Sequence, residues 1–175
     1  MRSFNRPADR RSASWLAAAG FVGLVMIAGS APGQAQNAPD FGLGLRIWTV
    51  TGNCQQCHGW FADGLKMDNQ MPDGANLHDT QLSREDLIMT VKCGRPAGGM
   101  PAFEKDAYKD GHCYGMTTAD LKAAGVIMYD MGTLRDEQIE TVVDFILAKF
   151  KGKPLNKAAC IDMWGGDRAT CRDLP

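Results

Sequence analysis

Cys54-Gln55-Gln56-Cys57-His58 is the stretch of this 175-residue chain whose residue types and spacing carry the most chemistry. Two thiols three positions apart on a turn can add to the two vinyl groups on one side of a porphyrin. A histidine directly after them then lies under the iron and offers an imidazole nitrogen. Six cysteines and three histidines in the chain give this C-x-x-C-H pattern a chance expectation of about 0.3%. A zinc site would need two further ligands at tight spacing, and neither Cys93 nor Cys113 has a C-x-x-C companion. A thioredoxin-like redox pair would need a βαβ setting, and no alternating-strand pattern surrounds residues 54–58. The pattern occurs once, so one covalently attached haem c is expected.

An iron held by His58 on one side needs a second ligand from elsewhere: His78, His112 or one of the ten methionines. Met100 stands out. It lies in Gly94-Arg95-Pro96-Ala97-Gly98-Gly99-Met100-Pro101-Ala102-Phe103, where glycines allow close backbone approach and Pro101 stops a helix just after the thioether. Met116 and Met131 are second choices, and Met128 reads as core. His78 and His112, set among Asp, Gly and Asn, read as exposed loop residues. Arg95, beside the loop, is placed either to pair with a haem propionate or to stand in solvent.

The elements that must position these groups read as helices. Leu43, Ile47 and Val50, with Phe41 and Trp48 nearby, predict an amphipathic helix leading into Cys54. Ser83-Arg84-Glu85-Asp86 is a capping-box start, followed by Leu87, Ile88 and Val91 on one face and stopped by Gly94. Ile139, Val142, Val143, Ile146, Leu147 and Phe150 form a buried stripe opposite Glu140, Asp144 and Lys151, ended by Gly152 and Pro154. Thr117-Thr118-Ala119-Asp120 starts a short helix closed by Gly125. With no strand series and no repeat, the expected fold class is all-α.

The first residues read as an address. Arg2, Arg6, Arg10 and Arg11 precede an apolar run from Trp15 to Ala28, then small residues up to Ala35. This is the pattern of a secretory signal peptide cleaved after Ala35; an uncleaved single anchor is the alternative, and Arg10-Arg11 hints at twin-arginine export. The predicted organisation is a signal peptide 1–35, a domain 36–152 and a tail 153–175. Without residues 1–35, fifteen basic and nineteen acidic residues remain, a net charge of −4. That excludes a nucleic-acid binder driven by phosphate contacts, and no stable membrane anchor is expected. Export to the periplasm also means that spare thiols should pair. Cys93, Cys113, Cys160 and Cys171 allow three pairings; the two that close short loops, 93–113 and 160–171, are favoured at roughly 3 kcal/mol each.

The chain resembles the class I cytochrome c family in Cys54-Gln55-Gln56-Cys57-His58-Gly59, in Gly99-Met100-Pro101-Ala102-Phe103, and in the closing run from Leu134 to Ile146. The resemblance covers roughly residues 40–103 and 133–150. It implies the cytochrome c fold, with Cys54 and Cys57 as thioether anchors, His58 as proximal ligand and Met100 as distal ligand. It also implies electron transfer in the bacterial periplasm. Two features depart from the pattern. Gly74 is followed by Ala75 where many relatives have a proline that supports the proximal histidine, and residues 104–132 read as an insertion. The resulting expectation is a mono-haem electron carrier between a redox protein donor and an acceptor, and not an enzyme. Partners should approach at the thioether edge, between Gln55 and Gln56 on one side and Pro96, Ala97, Gly98 and Ala102 on the other. A cytochrome subunit of a periplasmic dehydrogenase, or a haem enzyme with a labile sixth ligand, are the alternatives. Thioether attachment makes a direct prediction: haem stays with the chain on denaturing electrophoresis, and Cys54→Ala or Cys57→Ala weakens or abolishes that retention. Complete loss from the unaltered protein would contradict the assignment.

Overall fold

The structure, a computed structural model, describes residues 40–66, 69–164, 166, 169–172 and 174–175, so the predicted signal segment 1–35 lies outside the described residues. Six α-helices make up the described part: α1 (Phe41–Arg46), α2 (Gln55–His58), α3 (Arg84–Cys93), α4 (Thr118–Ala123), α5 (Asp136–Lys149) and α6 (Lys157–Trp164). The extended pairing among the described residues is one isolated bridge, Arg95 with Met100. The fold of the described residues is all-α, as the sequence predicts.

Helix α1 begins where Asp40 accepts a hydrogen bond from the Leu43 amide at 2.9 Å. It then widens into a π-helical turn, Ile47–Thr51. That turn shifts the register of the apolar face. Gly44, Ile47 and Trp48 are buried, whereas Leu43 is 40% and Val50 67% exposed, so the predicted Leu43/Ile47/Val50 face is corrected to 44/47/48.

Helix α3 carries the expected capping box, Ser83 with Asp86, and buries Leu87 and Val91. It is tied to α5 by Arg84, whose Nε donates to Asp144 at 2.7 Å and whose Nη2 reaches Glu140 at 3.2 Å. Helix α5 buries the predicted Ile139, Val142, Val143 and Ile146, together with Phe145. The stripe reading omitted Phe145 because α5 is covered on two sides, by α3 and by α1. Phe145 packs against Gly44 and sets its ring edge-on to Phe150, centroids 5.4 Å apart.

The disulfides are Cys93–Cys113 and Cys160–Cys171, the two local pairings. The first joins α3 to a small second cluster built from Ala107, Tyr108 and Leu121, against which Met116 and Met128 pack. The second staples a tail that is less polar in its packing than its composition suggests, since α6 puts Met163 into the main core. His78 also differs from its reading as an exposed loop residue. It is half-buried, with Nδ1 2.8 Å from the Lys153 carbonyl, Nε2 2.6 Å from the Phe61 carbonyl and its ring beside Phe150. Phe145 is the test of this core. Phe145→Ala should lower the unfolding free energy of the haem-loaded protein by about 3–5 kcal/mol in a denaturant titration. A loss below about 1 kcal/mol would mean α1 is not seated on α5.

Candidate haem site

Helix α2 is only four residues long, but it sets the geometry. The His58 amide donates to the Cys54 carbonyl at 3.0 Å, so Cys54, Cys57 and His58 stand at i, i+3 and i+4 of one helical turn. All three side chains line a single cavity of about 260 Å³. Burial pushes the Cys54 thiol up to about 12, so at neutral pH it is uncharged, as an apolar wall requires.

His58 Nδ1 lies 2.8 Å from the carbonyl oxygen of Ala75. That contact makes Nδ1 the protonated nitrogen and leaves Nε2 with its lone pair. Burial lowers the His58 pKa below its ordinary value; the Ala75 bond opposes this and the charge of Arg95 adds to it. A neutral imidazole is the form that ligates a metal. The departure at Ala75 is therefore without consequence for this contact, because the supporting group is a carbonyl, which alanine and proline both possess. Gly74 is needed for the approach. A Cβ there would lie 2.7 Å from the Cys57 carbonyl oxygen and 2.8 Å from His58 Nδ1.

Met100 and Arg95 line the same cavity from the loop after α3. The loop is closed by a reciprocal pair, Arg95 amide to Met100 carbonyl at 3.0 Å and Met100 amide to Arg95 carbonyl at 3.2 Å. Apolar walls come from Leu87 and Val91 of α3, Val142 and Ile146 of α5, and Leu77, Leu82 and Phe103. Trp48 also lines the cavity, and its buried indole N–H has no acceptor among the described residues, which suits a group carrying carboxylates. Two neighbouring thiols, one imidazole, one thioether, apolar walls and an arginine are the donor set a covalently bound haem requires.

Met131, a second choice, also lines this cavity, which loop spacing alone did not reveal. Met116 does not; it packs on the Cys93–Cys113 cluster. Gln55 corrects the expected edge. It is buried, at 6% exposure, and its Nε2 donates to the Thr49 carbonyl at 2.9 Å, whereas Ala97 and Gly98 are exposed as expected. His112 is exposed and lies between Asp110 and Glu104, whose hydrogen bonds raise its pKa. One nitrogen of His112, the Cys93 and Cys113 sulfurs and a Glu104 oxygen all lie within 4.8 Å of one another, but the disulfide commits both sulfurs.

Residues 43–118 match the family model described as cytochrome c oxidase, cbb3-type, subunit III. No curated protein and no solved structure matches the chain. The match spans both the C-x-x-C-H segment and Met100, and it runs on into the 104–132 segment. Together with the helical fold it supports a c-type cytochrome domain, and the cofactor is haem c, covalently attached. No helix among the described residues is long and apolar enough to cross a membrane.

The Gly74 approach yields a test. Gly74→Ala should displace the Ala75 carbonyl from His58, lowering the haem-to-protein ratio and shifting the reduction potential. Lys66→Ala, outside the cavity lining, removes a surface ion pair with Asp73 and should leave both near wild type. Equal behaviour of the two variants would show that the carbonyl does not hold the histidine.

Proposed function

We propose that this chain is a one-electron carrier working in the periplasm. In this reading Cys54 and Cys57 are the thioether anchors of one haem c, His58 and Met100 its axial ligands, and Arg95 the partner of a propionate. The observation that supports it most is convergence: the C-x-x-C-H turn and the Met100 loop, far apart in sequence, line one apolar cavity. Haem supplies a one-electron Fe(III)/Fe(II) couple.

The protein's own residues determine how that couple is used. The Ala75 carbonyl keeps the proton on Nδ1, so Nε2 stays available as a donor. The Met100 thioether is a soft ligand that favours the ferrous state and raises the potential relative to two histidines. Leu87, Val91, Phe103, Val142 and Ile146 keep water from the cavity wall, which penalises the more highly charged oxidised state further. With His58 and Met100 both holding the haem iron, no coordination site would be left open for a substrate, which would make the chain a carrier and not an enzyme. Redox protein partners approach at the exposed Ala97 and Gly98. The net charge of −4 without residues 1–35 steers a basic partner over longer distances, an effect that weakens with salt.

A second reading, favoured by the match to an oxidase-subunit family, is a resident cytochrome subunit of a larger redox complex. It shares the chemistry and differs in partner lifetime, so co-purification of a stable partner with the native protein separates the two. The axial assignment is tested by substitution. Met100→Ala should move the ferric spectrum towards high spin, remove the sulfur-to-iron absorption band and lower the potential. Met131→Ala should leave the band in place. The opposite pattern would make Met131 the ligand.

A further inference from the structure

The cavity and its ligands leave unexplained why so much of segment 104–132 is bound to the backbone just before Met100. The C-terminus of α3 has carbonyls that no helical amide can satisfy. Two of them are taken by tyrosine hydroxyls from this segment. Tyr108 Oη donates to the Cys93 carbonyl at 2.5 Å, and Tyr114 Oη donates to the Gly94 carbonyl at 2.9 Å. Cys93 is also held covalently by Cys113. Tyr114 adopts a left-handed backbone conformation, φ 57°, which is unfavourable for a bulky residue and persists only where surrounding contacts impose it. Here the imposing contacts are its own hydroxyl bond and the neighbouring disulfide.

These anchors lie one and two residues from Arg95, the residue that exchanges two backbone hydrogen bonds with Met100. Gly94 also touches the far side of the loop directly, since a Cβ at its φ of +66° would lie 2.4 Å from the Met100 carbonyl oxygen. The same segment covers the loop's tip and exit. The Tyr129 ring lies 3.7 Å from where a Gly99 Cβ would be, and Met131 lines the cavity beside Met100. Residues from this one segment therefore anchor the backbone before the Met100 loop and border the loop at Gly99.

We propose that segment 104–132 is a clamp that keeps Met100 seated towards the cavity, with Tyr108, Tyr114 and the Cys93–Cys113 disulfide as its positioning groups. The proposal rests on the reading of Met100 as an axial ligand. A methionine–iron bond is broken when the loop swings out, and an outside ligand can enter only then. The apparent affinity for such a ligand therefore reports the fraction of open loop. Holding Cys93 and Gly94 fixed reduces that fraction by removing the hinge on which residues 95–100 would turn.

The probe is imidazole, titrated into the ferric holoprotein and followed by loss of the sulfur-to-iron absorption band. Tyr114→Phe and Tyr108→Phe should each raise the apparent affinity about fivefold, the equilibrium equivalent of one net hydrogen bond. Cys93→Ser combined with Cys113→Ser should raise it about tenfold or more. Cys160→Ser with Cys171→Ser, which removes the other disulfide, should change it less than twofold. In a Met100→Ala background the tyrosine effects should vanish, because no loop ligand remains to be displaced.

Unchanged affinity in both tyrosine variants, or an equal rise in the Cys160/Cys171 control, would overturn the clamp. Should the Cys93/Cys113 variant fail to fold, Tyr114→Phe decides the matter, since it removes one hydroxyl from a side chain that is 48% exposed. Failure of the underlying reading looks different: Met100→Ala and the wild type would then bind imidazole alike. The clamp alone fails when Met100→Ala binds far more tightly and the tyrosine variants do not.

Discussion

A neutral imidazole has one nitrogen that donates and one that accepts, and the 2.8 Å contact from His58 Nδ1 to the Ala75 carbonyl decides which is which. The remaining geometry follows from that choice. A single helical turn puts Cys54, Cys57 and His58 on one side, and Gly74 lets the 72–77 loop come close enough for its backbone to face the ring. Trp48 flanks His58, centroids 6.0 Å apart, and is itself wedged against Phe150 of the core. The orientation of the His58 ring is thus coupled to the packing of α1 on α5, which is why a long C-terminal helix with no group of its own for the chemistry matters to the site.

The Met100 part of the cavity wall is built by a different principle. No helix carries Met100; it sits in a short loop whose shape comes from backbone pairing with Arg95 and from anchors at either end. A loop of this kind has little apolar burial of its own, and its rigidity must be supplied by neighbours. Segment 104–132 has the means: a disulfide, two buried or half-buried tyrosine bonds and its own small apolar cluster. For the proposed carrier role, a rigid loop would also lower the structural cost of changing oxidation state.

Legibility in the sequence followed locality. The C-x-x-C-H turn, the capping box at Ser83, the helix start at Thr117, the α5 stripe and the two short-range disulfides are all patterns within a few turns of chain, and each is present in the structure. The Gly-Pro frame singled out Met100, and the structure puts that residue in the cavity. Less legible were features that depend on backbone or on distant packing. The partner of His58 is a carbonyl, which no side-chain pattern encodes. The π-helical turn at Ile47–Thr51 moved the buried face off Leu43 and Val50, and periodicity at 3.6 residues cannot anticipate that. His78 was read by its polar neighbours, yet its ring bridges two carbonyls from chain segments that meet only in the fold. Met131 reaches the cavity only because the segment before it is folded back.

On the proposed function, His58 and Met100 would close the iron on both faces, so that it would exchange electrons and not bind substrate. Carbon monoxide added to the purified ferrous protein tests this most directly, because it binds only where a coordination position is open or easily opened. The account predicts a spectrum unchanged at carbon monoxide levels that saturate a five-coordinate haem, with adduct formation appearing in Met100→Ala. Rapid, stoichiometric binding to the native ferrous protein would contradict it and would place the chain among haem proteins with an accessible iron.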